Sequence, residues 1–197
     1  MNLVRKVRLV ERVFQDLDLE ISNAKGNLGY SCISSCGACC FKPDIEASVL
    51  EFLPLAYYLF KSGRAEAMYE SLVENKTDIC VILSTLSSEN KSGFCSEYKY
   101  RGLICRLFGY STVRKKESVK SLLVCQQIKE AYSTRIMEIN GDEEVKNTLP
   151  VCSDYFYRLL AIDYKLATDK FPINTSIQKA LAEVLWYFQY RSPKKSA

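Results

Sequence analysis

The sequence predicts a mainly α-helical fold: a single compact helical domain with an irregular cysteine-rich metal-binding segment. Three observations carry this expectation. Apolar residues recur at helical spacing at the start of the chain and over its last third. Residues 77 to 112 carry no such stripe. Eight of the nine cysteines fall between residues 32 and 125. A chain of 197 residues suits one domain with a proper core, and residues 1–192 are expected to form it, with 193–197 as a disordered tail.

Leu3, Val7, Val10, Phe14, Leu17 and Ile21 alternate spacings of four and three. This predicts an amphipathic helix over 2–25, ending near Gly26. Packing onto its own domain is favoured over a coiled-coil dimer through this helix. The cysteine core spans 30–130. Its first group sits in a loop with Gly37 and Pro43. Asp44 would cap a helix with Glu46 in its first turn, and Pro54 would kink or restart it through Leu59. The run GRAEAMYESLVEN reads as a further helix. Residues 77 to 112 read as loops with short strands, ordered mainly by what their cysteines bind.

From Lys116 to about Ile139, the positions Val119, Leu122, Leu123, Ile128, Ala131 and Tyr132 suggest a helix stopping near Asn140-Gly141. Asp142, Glu143 and Glu144 read as a solvated loop or helix start. C-terminal helices over 150–191 follow. One covers 151–170 with Tyr155, Phe156, Leu159, Leu160, Ile162 and Leu166 on its apolar side. The last starts at Asn174 or Thr175, with Ile177, Leu181, Val184, Leu185 and Phe188 as its stripe. Trp186, Tyr187 and Tyr190 read as core and rim packing.

Composition narrows the function. The net charge is +4, with much of the excess at the two ends, so nucleic acid is not an expected partner. The N-terminal stretch lacks the apolar region and cleavage site of a signal peptide, and no run approaches the ~18 apolar residues of a membrane span. A cytoplasmic protein is therefore expected. Thiols stay reduced in that compartment, and nine is an odd number of cysteines, so metal ligation or thiol chemistry is expected over a disulfide framework. There is no histidine. That removes Cys2His2 zinc sites, His-based triads and two-His-one-carboxylate iron sites. A tight transition-metal site here must rest on thiolate, which favours zinc, iron–sulfur clusters or Cu(I).

Cys32, Cys36, Cys39 and Cys40 occupy nine positions, and Cys80, Cys95, Cys105 and Cys125 follow. Cys36-Gly37-Ala38-Cys39 is a CxxC unit, whose spacing lets two sulfurs converge on one ion. Neighbouring side chains tend to diverge, so the pair Cys39-Cys40 suggests two adjacent metal sites or one polynuclear cluster. Cys152 suits a buried small hydrophobe better than a ligand. No βαβ pattern surrounds the CxxC, which weakens a thioredoxin-like reading.

These residues resemble a known family. CISSCGACC, CVIL with Cys80, GFCSEYKYRGLICRLFGY with Cys95 and Cys105, and CQQIKEAY with Cys125 are similar in series to the YkgJ-type cysteine-cluster family, described as zinc- or iron-chelating. The resemblance covers about residues 30 to 130. It implies metal ligation by Cys32, Cys36, Cys39, Cys40, Cys80, Cys95, Cys105 and Cys125. Tyr98 and Arg106 would stand behind these ligands, Arg106 either donating to sulfur, holding an anionic substrate, or serving a salt bridge or backbone carbonyl. The gap between Cys32 and Cys36 is wider than in the family pattern, and Cys152 lies beyond it.

The cysteine opening is also distantly similar to that of flagellin lysine N-methylases, which are associated with an iron–sulfur cluster and S-adenosylmethionine. A shared cluster motif does not transfer the reaction. Cys32, Cys36 and Cys39 also meet the radical-SAM CxxxCxxC spacing, but the chain is too short for a βα barrel. The eight thiolates would serve two four-thiolate zinc sites, or one 4Fe–4S cluster plus a mononuclear site. The first reading is a metal-binding protein (zinc or iron). The alternatives are an iron–sulfur-dependent modifying enzyme using Tyr98, Tyr110 and Arg106, and a thiol redox sensor.

Overall fold

The computed structural model describes residues 1–32, 36–87, 92–114 and 120–189. Helix α1 (Leu3–Leu28) is followed by β1 (Glu46–Ser48), α2 (Leu53–Lys61) and α3 (Ala65–Glu74). Then come β2 (Leu83–Ser87), β3 (Ser92–Cys95), α4 (Leu103–Leu107), β4 (Ser111–Arg114) and β5 (Lys120–Leu123). The chain closes with α5 (Gln126–Ala131), α6 (Ser133–Gly141), α7 (Glu143–Asn147), α8 (Cys152–Ile162), α9 (Tyr164–Thr168), β6 (Lys170–Pro172) and α10 (Ile173–Gln189). The fold is mainly α, as the periodicity predicts. No helix among the described residues is long and apolar enough to cross a membrane.

The expected seam of α1 is buried from Leu3 to Ile21 and packs on α2 and α8 of its own chain. Asn2 caps it by accepting the Arg5 N–H at 2.8 Å. The helix does not end at Gly26. It runs to Leu28 and stops at Gly29, which takes the left-handed conformation at φ 67°. Arg135 explains the extra turn: its guanidinium donates to the carbonyls of Leu28 at 2.9 Å and Asn27 at 2.7 Å. Two of the carbonyls left over at the helix end are thereby satisfied.

The core centres on α2, whose Leu53, Leu55, Ala56 and Leu59 are fully buried against α1, α3 and α10. Burial of each leucine stabilises the frame by about 1.5–3 kcal/mol. The helix expected from Asp44 does not form. Residues 46–48 are extended and pair antiparallel with 170–172, Ala47 opposite Phe171. This pairing ties the C-terminal part of the chain to its first half. A 3-10 turn over Leu50–Phe52 leads into α2, with Pro54 in its first turn, where a missing N–H costs nothing. Ser176 Oγ donates to the Ala47 carbonyl at 2.7 Å and fixes α10 on this sheet.

The helix expected over Lys116 to Ile139 is corrected as well. Lys116 and Val119 lie outside the described residues. Residues 120–123 form a strand opposite 111–114, Leu122 facing Thr112. Helix begins only at Gln126, breaks at Tyr132 and resumes to Gly141. Asp142 then caps α7 through the Val145 N–H at 3.1 Å. The long helix expected over 151–170 divides at Asp163, whose carboxylate caps α9 through Leu166 N–H at 3.0 Å and pairs with Lys6. Trp186 is 64% exposed, on the rim rather than in the core. Tyr190 and the tail lie outside the described residues.

Candidate metal centre

The eight family-type cysteines line one cavity of about 150 Å³. They arrive from separate elements, and each is held by local backbone chemistry. Cys36 to Cys40 form a tight turn closed by the Cys40 N–H to Gly37 carbonyl bond at 2.7 Å. Gly37 has φ 58°, and a Cβ there would stand 3.0 Å from the Gly93 carbonyl oxygen. Gly93 in turn leaves no room for a side chain, since a Cβ would meet the Ser84 carbonyl at 2.6 Å. Two glycines thus let the CxxC turn lie directly on the hairpin of β2 and β3.

That hairpin ends at Cys95, opposite Leu83. The Cys80 N–H donates to the Cys40 carbonyl at 2.9 Å, which joins the downstream loop to the opening cluster. Cys105 lies on the short helix α4, whose Ile104 N–H donates to the wholly buried Glu51 carboxylate at 3.3 Å. Glu51 also accepts from Ser48 N–H at 2.8 Å and from Lys170 at 3.2 Å. Cys125 occupies the N-cap position of α5, with no capping bond from its side chain, instead of lying inside a helix. Cys32 donates its N–H to Tyr110 Oη at 2.8 Å, and Tyr30 Oη donates to the Gly109 carbonyl at the same distance.

All nine cysteines lie among the described residues, and none of them is joined in a disulfide there. Cys40 stands between Cys39 and Cys80, and the three thiols act on one another's ionisation. Cys39 and Cys40 sit in a turn, where the strand-like alternation behind their expected divergence does not apply. The contact with Cys40, then burial, pushes the Cys39 thiol far up. For Cys40 the Cys39 contact pulls down, but the Cys80 contact and burial prevail and push it up to about 12. Burial also raises Cys32, Cys95 and Cys105. Such thiols stay protonated at neutral pH unless a cation favours the thiolate.

Among the described residues, no three Cys, Asp or Glu side chains are gathered into a group that would itself hold a metal ion. The thiols share a wall and are not drawn onto a single point. The donor set nevertheless fits a soft or borderline cation: eight sulfurs, no imidazole, and a largely apolar surround that includes Phe52, Ile82 and Ile128.

Tyr98 and Tyr110 line the cavity, Tyr98 at its exposed side. Arg106 does not line it. Its guanidinium pairs with Asp18, donates to the carbonyls of Lys99 and Arg101, and lies 4.6 Å from the Phe14 ring centroid. Of its alternatives, the salt bridge with backbone-carbonyl contacts is the one observed. Arg101 is the cationic residue that lines the cavity, stacked 3.8 Å from the Tyr98 ring centroid, and its charge favours the thiolate forms of Cys32 and Cys95. Cys152 stays outside the cavity, buried at the start of α8, where burial pushes its thiol up to about 11. Sequence reasoning missed Glu51 and Gly93. Only the lone glycine in GFC was a visible signal, the mark of a close backbone approach in a strand.

A helical frame with eight thiols facing one cavity defines a cysteine-cluster domain. The chain belongs to the CxxCxxCC family, whose description reads "Putative zinc- or iron-chelating domain" and whose model matches residues 31–153. No curated protein and no solved structure matches the chain.

Proposed function

We propose that this protein is a zinc- or iron-binding protein whose ligands are Cys32, Cys36, Cys39, Cys40, Cys80, Cys95, Cys105 and Cys125. The observation that carries the reading is that these eight cysteines line one cavity while the ninth does not. Thiolate ligation of a divalent cation would deprotonate thiols that burial now holds protonated, and would supply folding energy to a segment built of short elements. Eight thiolates around two Zn²⁺ would carry a formal charge of about minus four. Arg101 offsets part of it at the cavity wall. A reducing compartment such as the cytoplasm suits free thiols.

A 4Fe–4S cluster with a mononuclear site is the iron version of the same reading. An iron–sulfur-dependent modifying enzyme is a second reading, favoured by Tyr98 and Tyr110 on the cavity wall, where a phenol could serve a bound substrate.

Anaerobic purification followed by elemental analysis and an absorbance spectrum tests the proposal. Near-stoichiometric zinc or iron per chain is expected. A colourless protein with about two zinc ions excludes both iron readings, and brown protein with iron and sulfide excludes the zinc-only one. Metal-free protein after anaerobic preparation contradicts metal binding and leaves the thiol redox reading.

A further inference from the structure

Helix α10 lies beyond the family-matched segment, yet its second residue reaches into the metal-site architecture. The Val81 N–H donates to Asn174 Oδ1 at 2.8 Å. Asn174 Nδ2 donates to the carbonyls of Thr77 and Ile79, each at 2.8 Å. One carboxamide therefore grips the peptide groups on both sides of Cys80. An acceptor and two donors in one plane are needed, and of the side chains of this size only asparagine offers them. The N–H of Cys80 is committed to the Cys40 carbonyl, and its own carbonyl accepts the Leu83 N–H at 3.0 Å. With its neighbours and its own backbone all bonded, the Cα–Cβ bond of Cys80 is held in one direction, and its sulfur is limited to the rotamers about that bond.

The clamp stands beside an open cleft. About 520 Å³ lies behind the loop, lined by Thr77, Asp78 and Gln178 among others, and it shares Cys80 and Ile173 with the cysteine cavity. Cys80 and Val81 pack against the core, while the approach from Thr77 to Ile79 is exposed. That exposed approach is tied down by Asn174, and without it the approach has space to swing into the cleft and carry Cys80 with it.

Resting on the metal-binding reading above, we propose that Asn174 is a positioning residue for the metal centre, aiming Cys80 at Cys40 from a helix outside the family-matched segment. Groups that orient metal ligands typically contribute about 10–100-fold to metal affinity. Asn174→Ala should lower zinc affinity by about tenfold or more in competition with a chromogenic chelator. Asn174→Asp keeps the acceptor for Val81 but sets a carboxylate against two carbonyls, so it should do no better than alanine. Gln178→Ala, which lines the same cleft without touching the loop's peptides in the clamp, should match the wild type.

The second readout needs no metal. In the metal-free full chain, mass-mapped iodoacetamide labelling of Cys80 should speed up severalfold in Asn174→Ala relative to Cys95 and Cys105, with helix content by circular dichroism unchanged. Unchanged labelling of Cys80, or equal acceleration at all eight cysteines, overturns the proposal, the latter because it reports general loosening. If the wild type binds no zinc or iron, the metal reading has failed. The labelling ratio then still decides whether Asn174 positions Cys80.

Discussion

The helical frame and the cysteine cavity are built on opposite principles. In the frame, α1, α2 and α10 bury leucine and valine against one another, and no buried side-chain nitrogen or oxygen among the described residues lacks a partner. Nothing further is required to hold it. Around the cavity, short strands, a five-residue helix and turns bring together thiols whose main partners are one another. Burial raises Cys32, Cys95 and Cys105, and the Cys80 contact and burial raise Cys40, so on the proposed reading a bound cation would displace their protons. Two arginines of the same segment meet at Asp18 of α1: Arg106 is 3% exposed and serves the frame alone, whereas Arg101, five residues earlier, reaches Asp18 at 3.7 Å and also lines the cavity.

Mutations can break the comparison from either side. The largest stability effect should come from the frame. Leu59→Ala empties a fully buried site in α2 and should cost about 2–5 kcal/mol in denaturant unfolding, while the surviving folded protein keeps the wild-type metal content. Cys40→Ser should do the reverse. It removes the middle member of the Cys39–Cys40–Cys80 group, and zinc affinity should fall by at least about 100-fold in chelator competition while the far-ultraviolet spectrum stays helical. Equal damage to both properties by both variants would erase the distinction between the regions.

Arg106→Ala leaves two carbonyls without their donor and Asp18 with only Arg101, at 3.7 Å, and should cost about 2–3 kcal/mol of stability. Arg101→Ala should instead weaken zinc binding by about tenfold, with little change in unfolding. The pH dependence sharpens this side further. Cys40 is pushed up to about 12, and Cys32 and Cys95 are raised as well, so these thiols are protonated in the metal-free protein at neutral pH. Metal uptake must expel their protons. Zinc affinity should therefore fall as pH is lowered from about 8 to 6, by about tenfold per pH unit for each proton released, as isothermal titration in buffers of different ionisation heat would show. The smallest effect belongs to Cys152→Ser, expected to cost about 1 kcal/mol or less of stability and no metal.

What the sequence made legible was local. The seam of α1, the helical run of α3 and the stripe of α10 follow from the local pattern, the eight-cysteine set is what the family resemblance implies, and all eight cysteines line the same cavity. What it concealed depends on partners far along the chain. Residues 120–123 carry Leu122 and Leu123 in a pattern compatible with helix, but pairing with 111–114 makes them a strand. Residues 46–48 are extended because 170–172 lie beside them. The last turn of α1 needs Arg135, more than a hundred positions away. Arg106 looked like a partner of sulfur because it follows Cys105, yet neighbours in a helix point to different sides, and its side chain leaves toward α1. The clamp on Cys80 could not be read at all, since Asn174 is one polar residue at a helix start until the loop it holds is in place.

The central claim is that eight cysteines, and not the ninth, form the metal centre. Site-resolved thiol alkylation of the anaerobically purified chain, with and without removal of its metal by a chelator, tests it most directly. The account predicts that Cys32, Cys36, Cys39, Cys40, Cys80, Cys95, Cys105 and Cys125 all gain reactivity together when metal leaves, while Cys152 does not change. Protection confined to Cys36 and Cys39, or a response at Cys152 equal to the rest, would contradict it.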